Sequence, residues 1–260
     1  MKKKVIVKAP LLTRSGYGEH GRFVMRALKE IENMIDLYVM PVPWGKCGWI
    51  YEDNEERRWI DDLIKKTAVY QQHSQGNPQY DVSIQVAIPN EWQPMAPVNI
   101  GVTAGIETNR VAPVWLQKAN QMNNIITISE HSKQVFIDTV YDATHPQTGE
   151  KVKLKSTNYT KYNSGVNIVH YPVKQFEKVD LKLKLSTDFN FLAVAQWGPR
   201  KNLENTIRWF VEEFIDNPEV GLIVKAFTKG NSITDRYHTS NLISNLLGQY
   251  ENRECKIYLL

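Results

Sequence analysis

Over the first 150 residues short apolar runs alternate with amphipathic stretches, a pattern that predicts a parallel sheet flanked by helices. Strands are expected at Lys4–Lys8, Ile35–Met40, Val82–Ile88, Val98–Thr103 and Ile125–Ile128. Phe23, Ala27, Leu28 and Ile31 recur at helical spacing after the first strand, and Val135, Phe136 and Thr139 do so after the fifth. Ser129 stands where the N-cap of that later helix belongs. From Tyr141 to Val166, Pro146, Gly149, several Thr and Asn and a lysine alternation predict a hairpin insertion near the domain edge.

A second alternating unit starts at Phe189, with strand Phe189–Ala195, helix Leu203–Phe214, strand Gly221–Phe227, helix Ile233–Leu247 and strand Cys255–Leu260. The final strand has the pattern of a buried parallel strand without a following helix to cover it, and roughly 70 residues is small for such a domain. The expectation is a second half completed by further sequence or by another chain.

Composition agrees with a globular chain of one or two domains: 260 residues, 42% hydrophobic and 23% charged, which excludes fibrous, low-complexity and wholly disordered classes. No apolar run approaches the ~20 residues of a membrane helix. Met1-Lys2-Lys3-Lys4 leads into a strand-like run and not a cleavable signal, so a cytoplasmic location is expected. Cys47 and Cys255 are expected to be free thiols. The net charge of +4 is local: between Lys151 and Lys184 eight lysines meet only Glu177 and Asp180. Lys151–Lys155 and Leu181–Leu185 alternate charge with apolar residues, which suits two solvated strand edges or, alternatively, a phosphate-attracting rim. The overall balance does not suggest a nucleic-acid binder.

Three loops carry candidate chemistry. Gly16-Tyr17-Gly18-Glu19-His20-Gly21 is a GxGxxG segment after a strand, where backbone amides and a helix N-terminus can approach a phosphate, or where glycines merely permit a tight turn. A dinucleotide reading is weakened because six residues separate the strand end from Gly16 and the second strand ends in Met40-Pro41-Val42 without a ribose-binding acid. Trp197-Gly198-Pro199-Arg200-Lys201-Asn202 places two cations before a helix, where the macrodipole prefers anions, and a bound diphosphate would resolve that conflict; Asn202 is the expected N-cap. A solvated basic turn is the plainer alternative. Gly101–Arg110 follows a strand and sets Glu107 on a loop at the carboxyl edge, to orient an acceptor hydroxyl or to pair with Arg110. Pro89-Asn90-Glu91-Trp92 follows another strand end, with an indole that lines a cleft or simply packs. The six histidines show no metal-ligand spacing, and there is no P-loop or GxSxG. Asn158-Tyr159-Thr160 has the form of a glycosylation acceptor.

Together these loops resemble the retaining nucleotide-sugar glycosyltransferases of the GT-B fold. The strongest piece is Phe191–Glu204, similar to the family's strand, turn and helix in which a lysine, here Lys201, holds the donor diphosphate. Ser15–Gly18 resembles the glycine-rich first loop, and Gly105–Asn109 with Ile126–Ser132 resembles the acceptor-side loop and the strand-to-helix turn after it. The resemblance implies an α/β chain of two Rossmann-like domains, 1–180 for the acceptor and 181–260 for the nucleotide-sugar, the second incomplete. It implies Lys201 and Glu107 in the chemistry and Gly16, Tyr17, Gly18, Gln196, Arg200 and Lys201 around the donor. No metal is required, because protein cations fill that role, and the acceptor is a glycan, lipid or protein.

Two departures are visible. Gln196 stands where many members carry an arginine, and the loop with two glutamates separated by seven residues that grips the donor would lie beyond Leu260. A non-catalytic binding module and a nucleotide-linked oxidoreductase are the rival classes.

Overall fold

A computed structural model of the chain describes residues 2–145, 147–156 and 165–260. The chain divides into two compact units, Met1–Gly45 with Trp49–Lys174, and Lys46–Gly48 with Gln175–Leu260.

The first unit runs β1 (Lys3–Ala9), α1 (Gly16–Lys29), β2 (Ile35–Pro41), α2 (Glu55–His73), β3 (Val82–Val86), a 3₁₀ turn (Pro89–Glu91), β4 (Val98–Val102), α3 (Pro113–Ala119), β5 (Asn124–Thr127), α4 (Glu130–Asp138), β6 (Val140–Thr144), β7 (Lys151–Lys155) and β8 (Val166–Ile168). Six strands make one parallel sheet in the order β2-β1-β3-β4-β5-β8. This mixed α/β arrangement is compatible with a Rossmann-like fold. Both faces of β1 are buried, Val5, Val7 and Ala9 in one cluster and Ile6 in another, as expected of a parallel strand covered by helices on each side. The chain steps from β1 outward to β2 and then back to β3, so the order reverses at the carboxyl ends of β1 and β3, where open α/β sheets form their crevice.

Several elements differ from the sequence expectation. The 19-residue α2 was not anticipated: only Ile60, Leu63 and Thr67 are buried along it, too narrow a stripe to stand out among its charges. Asn54 caps it by accepting from Arg57 N, and Thr67 Oγ1 accepts from Val39 N at 3.0 Å, which locks it to β2. α1 ends at Lys29, leaving Ile31 in the turn beyond. The hairpin is β6 paired antiparallel with β7, but Val166–Ile168 leaves it to become β8, parallel to β5. Pro146 and residues 157–164, including the Asn158-Tyr159-Thr160 acceptor, lie outside the described residues.

The second unit contains β9 (Phe189–Gln196), a 3₁₀ turn (Pro199–Lys201), α5 (Leu203–Glu213), β10 (Val220–Phe227), α6 (Ile233–Leu247) and β11 (Lys256–Leu259), with the parallel order β11-β10-β9. Leu203, Ile207, Phe210 and Val211 of α5 and Ile243, Leu246 and Leu247 of α6 pack with Leu222, Val224 and Ala226 of central β10. The closing strand is parallel as expected, but it is only partly covered, with Lys256 and Leu259 exposed and Ile257 and Tyr258 intermediate. Leu181–Leu185 is not a strand. Asp180 Oδ1 accepts from Lys182 N at 2.8 Å and Lys182 takes φ 48°, an Asx-type turn that breaks the extended path despite the alternating pattern. Cys47 and Cys255 are both free.

Asp235 organises the loop that follows β10. Buried at 7% exposure, its carboxylate accepts from Thr228 N (3.1 Å), Lys229 N (3.0 Å), Asn231 N (2.8 Å) and Thr228 Oγ1. Burial alone would raise its pKa, but these bonds to the charged form outweigh it and hold the group at about 2. A carboxylate depressed in the folded state gives its full stabilisation above the ordinary value and loses it as pH falls through the folded one. The second unit should therefore weaken between about pH 4 and about pH 2, and Asp235→Ala should cost about 3 kcal/mol by leaving buried donors unpaired. Urea midpoints of both proteins across that range check this, and a variant as stable as the parent would contradict it.

Candidate functional site

At the carboxyl edge of the first sheet, the connection from β1 to α1 is held by Arg22. Its guanidinium, 8% exposed as a residue, donates Nη1 to the carbonyls of Leu11 (2.8 Å) and Thr13 (3.0 Å) and Nη2 to Glu19 Oε2 (2.6 Å). Glu19 also accepts from Arg26; burial would raise its pKa, and the two arginines more than offset that, so it is held below the usual carboxylate range. Ser15 caps α1, its Oγ accepting from Gly18 N at 2.9 Å. A Cβ on Gly18 would press into the Thr13 carbonyl oxygen and lie 2.7 Å from Thr13 Oγ1, whereas one on Gly16 would meet open space. Gly18 is thus a close-packing glycine whose amide is already bonded. The Gly16 and Tyr17 amides are the ones that helix geometry leaves without an acceptor inside the helix.

Tyr17 ties this helix start to the end of β4. Its hydroxyl bonds Thr103 Oγ1 at 2.8 Å and accepts from Ala104 N at 3.2 Å, and burial pushes its pKa up. The loop that carries Glu107 begins there: Gly105, at φ 82°, lies so close to Ser132 of α4 that a Cβ would overlap its side chain. Glu107 itself is exposed. The Arg110 side chain donates Nη2 to the Val140 carbonyl (2.7 Å) and lies over the Tyr141 ring (4.5 Å). Trp92 is fully buried, with Nε1 donating to Gln85 O at 3.1 Å, so its indole packs.

Aromatic rings gather around α1. Tyr17 stacks on Trp44 with ring centroids 4.3 Å apart, and His20, one turn on from Tyr17, meets the edge of Tyr171 at 4.7 Å. His20 is 6% exposed and its Nδ1 has no hydrogen-bond partner among the described residues. Burial pushes its pKa down to about 4, so the imidazole is neutral at physiological pH. Tyr171 arrives on the coil after β8, which is anchored by Val169 N to Thr127 O (2.8 Å) and His170 Nδ1 to Ile128 O (2.9 Å).

In the second unit, the turn between β9 and α5 holds the remaining expected residues. Gln196 Nε2 donates to Thr228 O at 3.1 Å, so this side chain braces the neighbouring loop. Arg200 and Lys201 are exposed on the 3₁₀ turn. Asn202 marks the start of α5 as expected, but it does not cap it: it sits in the left-handed region (φ 49°, ψ 36°) and its Oδ1 accepts from Asn205 Nδ2. The first-turn amides of α5 receive no side-chain cap.

The structure therefore brings Gly16, Tyr17 and Gly18 together with the Glu107 loop through the Tyr17 to Thr103 bond, all in the first unit. Gln196, Arg200 and Lys201 form a second group on one turn of the second unit. His20, Trp44, Tyr171 and Asp235 were not anticipated as organising residues. For Trp44 a signal existed, an aromatic just past a strand end; for Tyr171 there was none. Among the described residues no three His, Cys, Asp or Glu side chains converge on a metal-sized site, and no helix is long and apolar enough to cross a membrane. No family model matches the chain, and no curated protein proves similar to it.

Proposed function

We propose that this chain is a retaining glycosyltransferase of the GT-B type that moves a sugar from a nucleoside-diphosphate donor to an acceptor hydroxyl. The observation that carries the reading is the start of α5: first-turn amides without a side-chain cap, beside Arg200 and Lys201. Cations at a positive helix end are unfavourable for the helix alone, whereas an anion there is favoured by the cations, the amides and the dipole together. In sugar transfer the C1–phosphate bond breaks as the anomeric carbon becomes oxocarbenium-like, and negative charge builds on the departing diphosphate. Lys201, Arg200 and the α5 amides stabilise that charge. Gln196 supports this site by holding the Thr228 loop and not by touching phosphate. Within the first unit taken by itself, the Gly16 and Tyr17 amides suit an anion and the exposed Glu107 suits orienting an acceptor hydroxyl.

The test is thermal melting with UDP, GDP and NAD at equal concentration. A ligand that binds only the folded state stabilises it by RT ln(1 + [L]/Kd), about 2.7 kcal/mol at a hundredfold excess over Kd. UDP or GDP should raise the midpoint above that with NAD. Preferential stabilisation by NAD would turn the reading to an oxidoreductase, and no response to any of the three would leave a non-catalytic protein.

A further inference from the structure

The His20 cluster is not explained by packing. A buried imidazole nitrogen without a partner costs about 1–3 kcal/mol, and a phenylalanine or leucine would fill the same place at no such cost. The His20 imidazole that carries the orphaned Nδ1 meets the ring of Tyr171, which is itself 41% exposed and rides on a coil held at its start by Val169 and His170. The Tyr17 ring lies 6.4 Å from that of His20 and is stacked on Trp44. Because the Tyr17 hydroxyl is already bonded to Thr103 and Ala104, what Tyr17 presents is an aromatic surface.

Aromatic faces beside one neutral hydrogen-bonding nitrogen suit a particular chemistry. A lipid chain would leave Nδ1 unsatisfied. A phosphate would have to compete for the arginines of the same helix, since Arg22 and Arg26 are held by Glu19 and by Glu19 with Glu56. A pyranose ring meets both requirements: its C–H face packs on aromatic rings, and its hydroxyl rim supplies the missing hydrogen bond.

We propose that the His20 cluster is the acceptor subsite and that the acceptor is a carbohydrate, whose pyranose ring displaces Tyr171, packs against the Tyr17 and Trp44 aromatic surface and bonds His20 Nδ1 through a hydroxyl. The word acceptor rests on the glycosyltransferase reading; the carbohydrate subsite stands or falls without it.

The full chain, with no nucleotide present, is titrated with methyl α-glucopyranoside, methyl α-mannopyranoside and methyl β-galactopyranoside, reading tryptophan fluorescence and the His20 imidazole resonances. Adenosine and octanol serve as planar and apolar comparisons. At least one glycoside should quench fluorescence and shift the His20 signal more than either comparison, and His20→Phe should remain folded yet bind that glycoside at least tenfold more weakly. No glycoside response, a stronger response to adenosine or octanol, or unchanged binding by a folded His20→Phe would each overturn the proposal. Glycoside binding without stabilisation by UDP or GDP would keep the subsite and sink the transferase reading. The reverse result would sink the subsite alone.

Discussion

Lys201→Ala should lower the rate of sugar transfer by about 10²–10³, the effect of removing one preorganised charge-stabilising donor from a developing anion. Folding should be untouched. Lys201 is exposed, and its amide, bonded to the Gly198 carbonyl, is independent of the side chain. Losing a cation from the positive end of α5 should even stabilise that helix slightly. Rate and melting temperature measured on the same variant separate the two roles. Parental turnover with equal or higher stability would mean that Lys201 is a solvated turn residue and would remove the diphosphate role. Arg200→Ala should cost less, because Lys201 lies next to the uncapped amides and Arg200 one residue further away.

Gly18→Ala should destabilise the first unit by about 3 kcal/mol, at the upper end of ordinary overpacking. The added methyl would press on the Thr13 carbonyl, part of the backbone, and on Thr13 Oγ1, which is fixed to Pro10 O and Ser15 Oγ. Neither can swing aside as the end of a long side chain would. Gly16→Ala is the control: its Cβ would meet nothing within 4 Å, and alanine is well tolerated in a first helical turn, so its unfolding midpoint should stay within about 0.5 kcal/mol of the parent. If both variants lose stability equally, the Gly18 contact is not what distinguishes them. If neither does, the first loop is looser than its Arg22 clamp implies.

The same pair of glycines shows what the sequence made legible. The strand-to-helix turn was visible because Gly16 and Gly18 fall between an apolar run and a helical repeat. The division of labour between them was not, since it depends on how closely Thr13 passes α1, a tertiary distance. Five of the six strands of the first sheet and the three of the second were apparent from apolar runs, their ends displaced by a residue or two, whereas β8 was hidden at the end of the expected hairpin. α2 was hidden because its buried stripe is only Ile60, Leu63 and Thr67. Leu181–Leu185 shows the converse: period-two alternation marks a strand only where a neighbour pairs with it, and Asp180 bent the chain first. At the basic turn Asn202 was placed correctly at the helix start, yet its left-handed backbone, its bond to Asn205 and the uncapped α5 amides could not be inferred from residue type. His20 lay inside the glycine motif in plain sight. Its chemical interest came only from burial without a partner, under a tyrosine 151 positions further along the chain, a separation that no local pattern can bridge.

If the turn entering α5 holds a nucleoside diphosphate, titrating the ¹⁵N-labelled chain with UDP and GDP should give saturable amide-resonance shifts concentrated on Gly198, Arg200, Lys201, Asn202 and the first-turn amides Leu203, Glu204 and Asn205, weakened in Lys201→Ala. Saturable binding that leaves those amides unmoved, or shifts of the same size in Lys201→Ala, would contradict that reading.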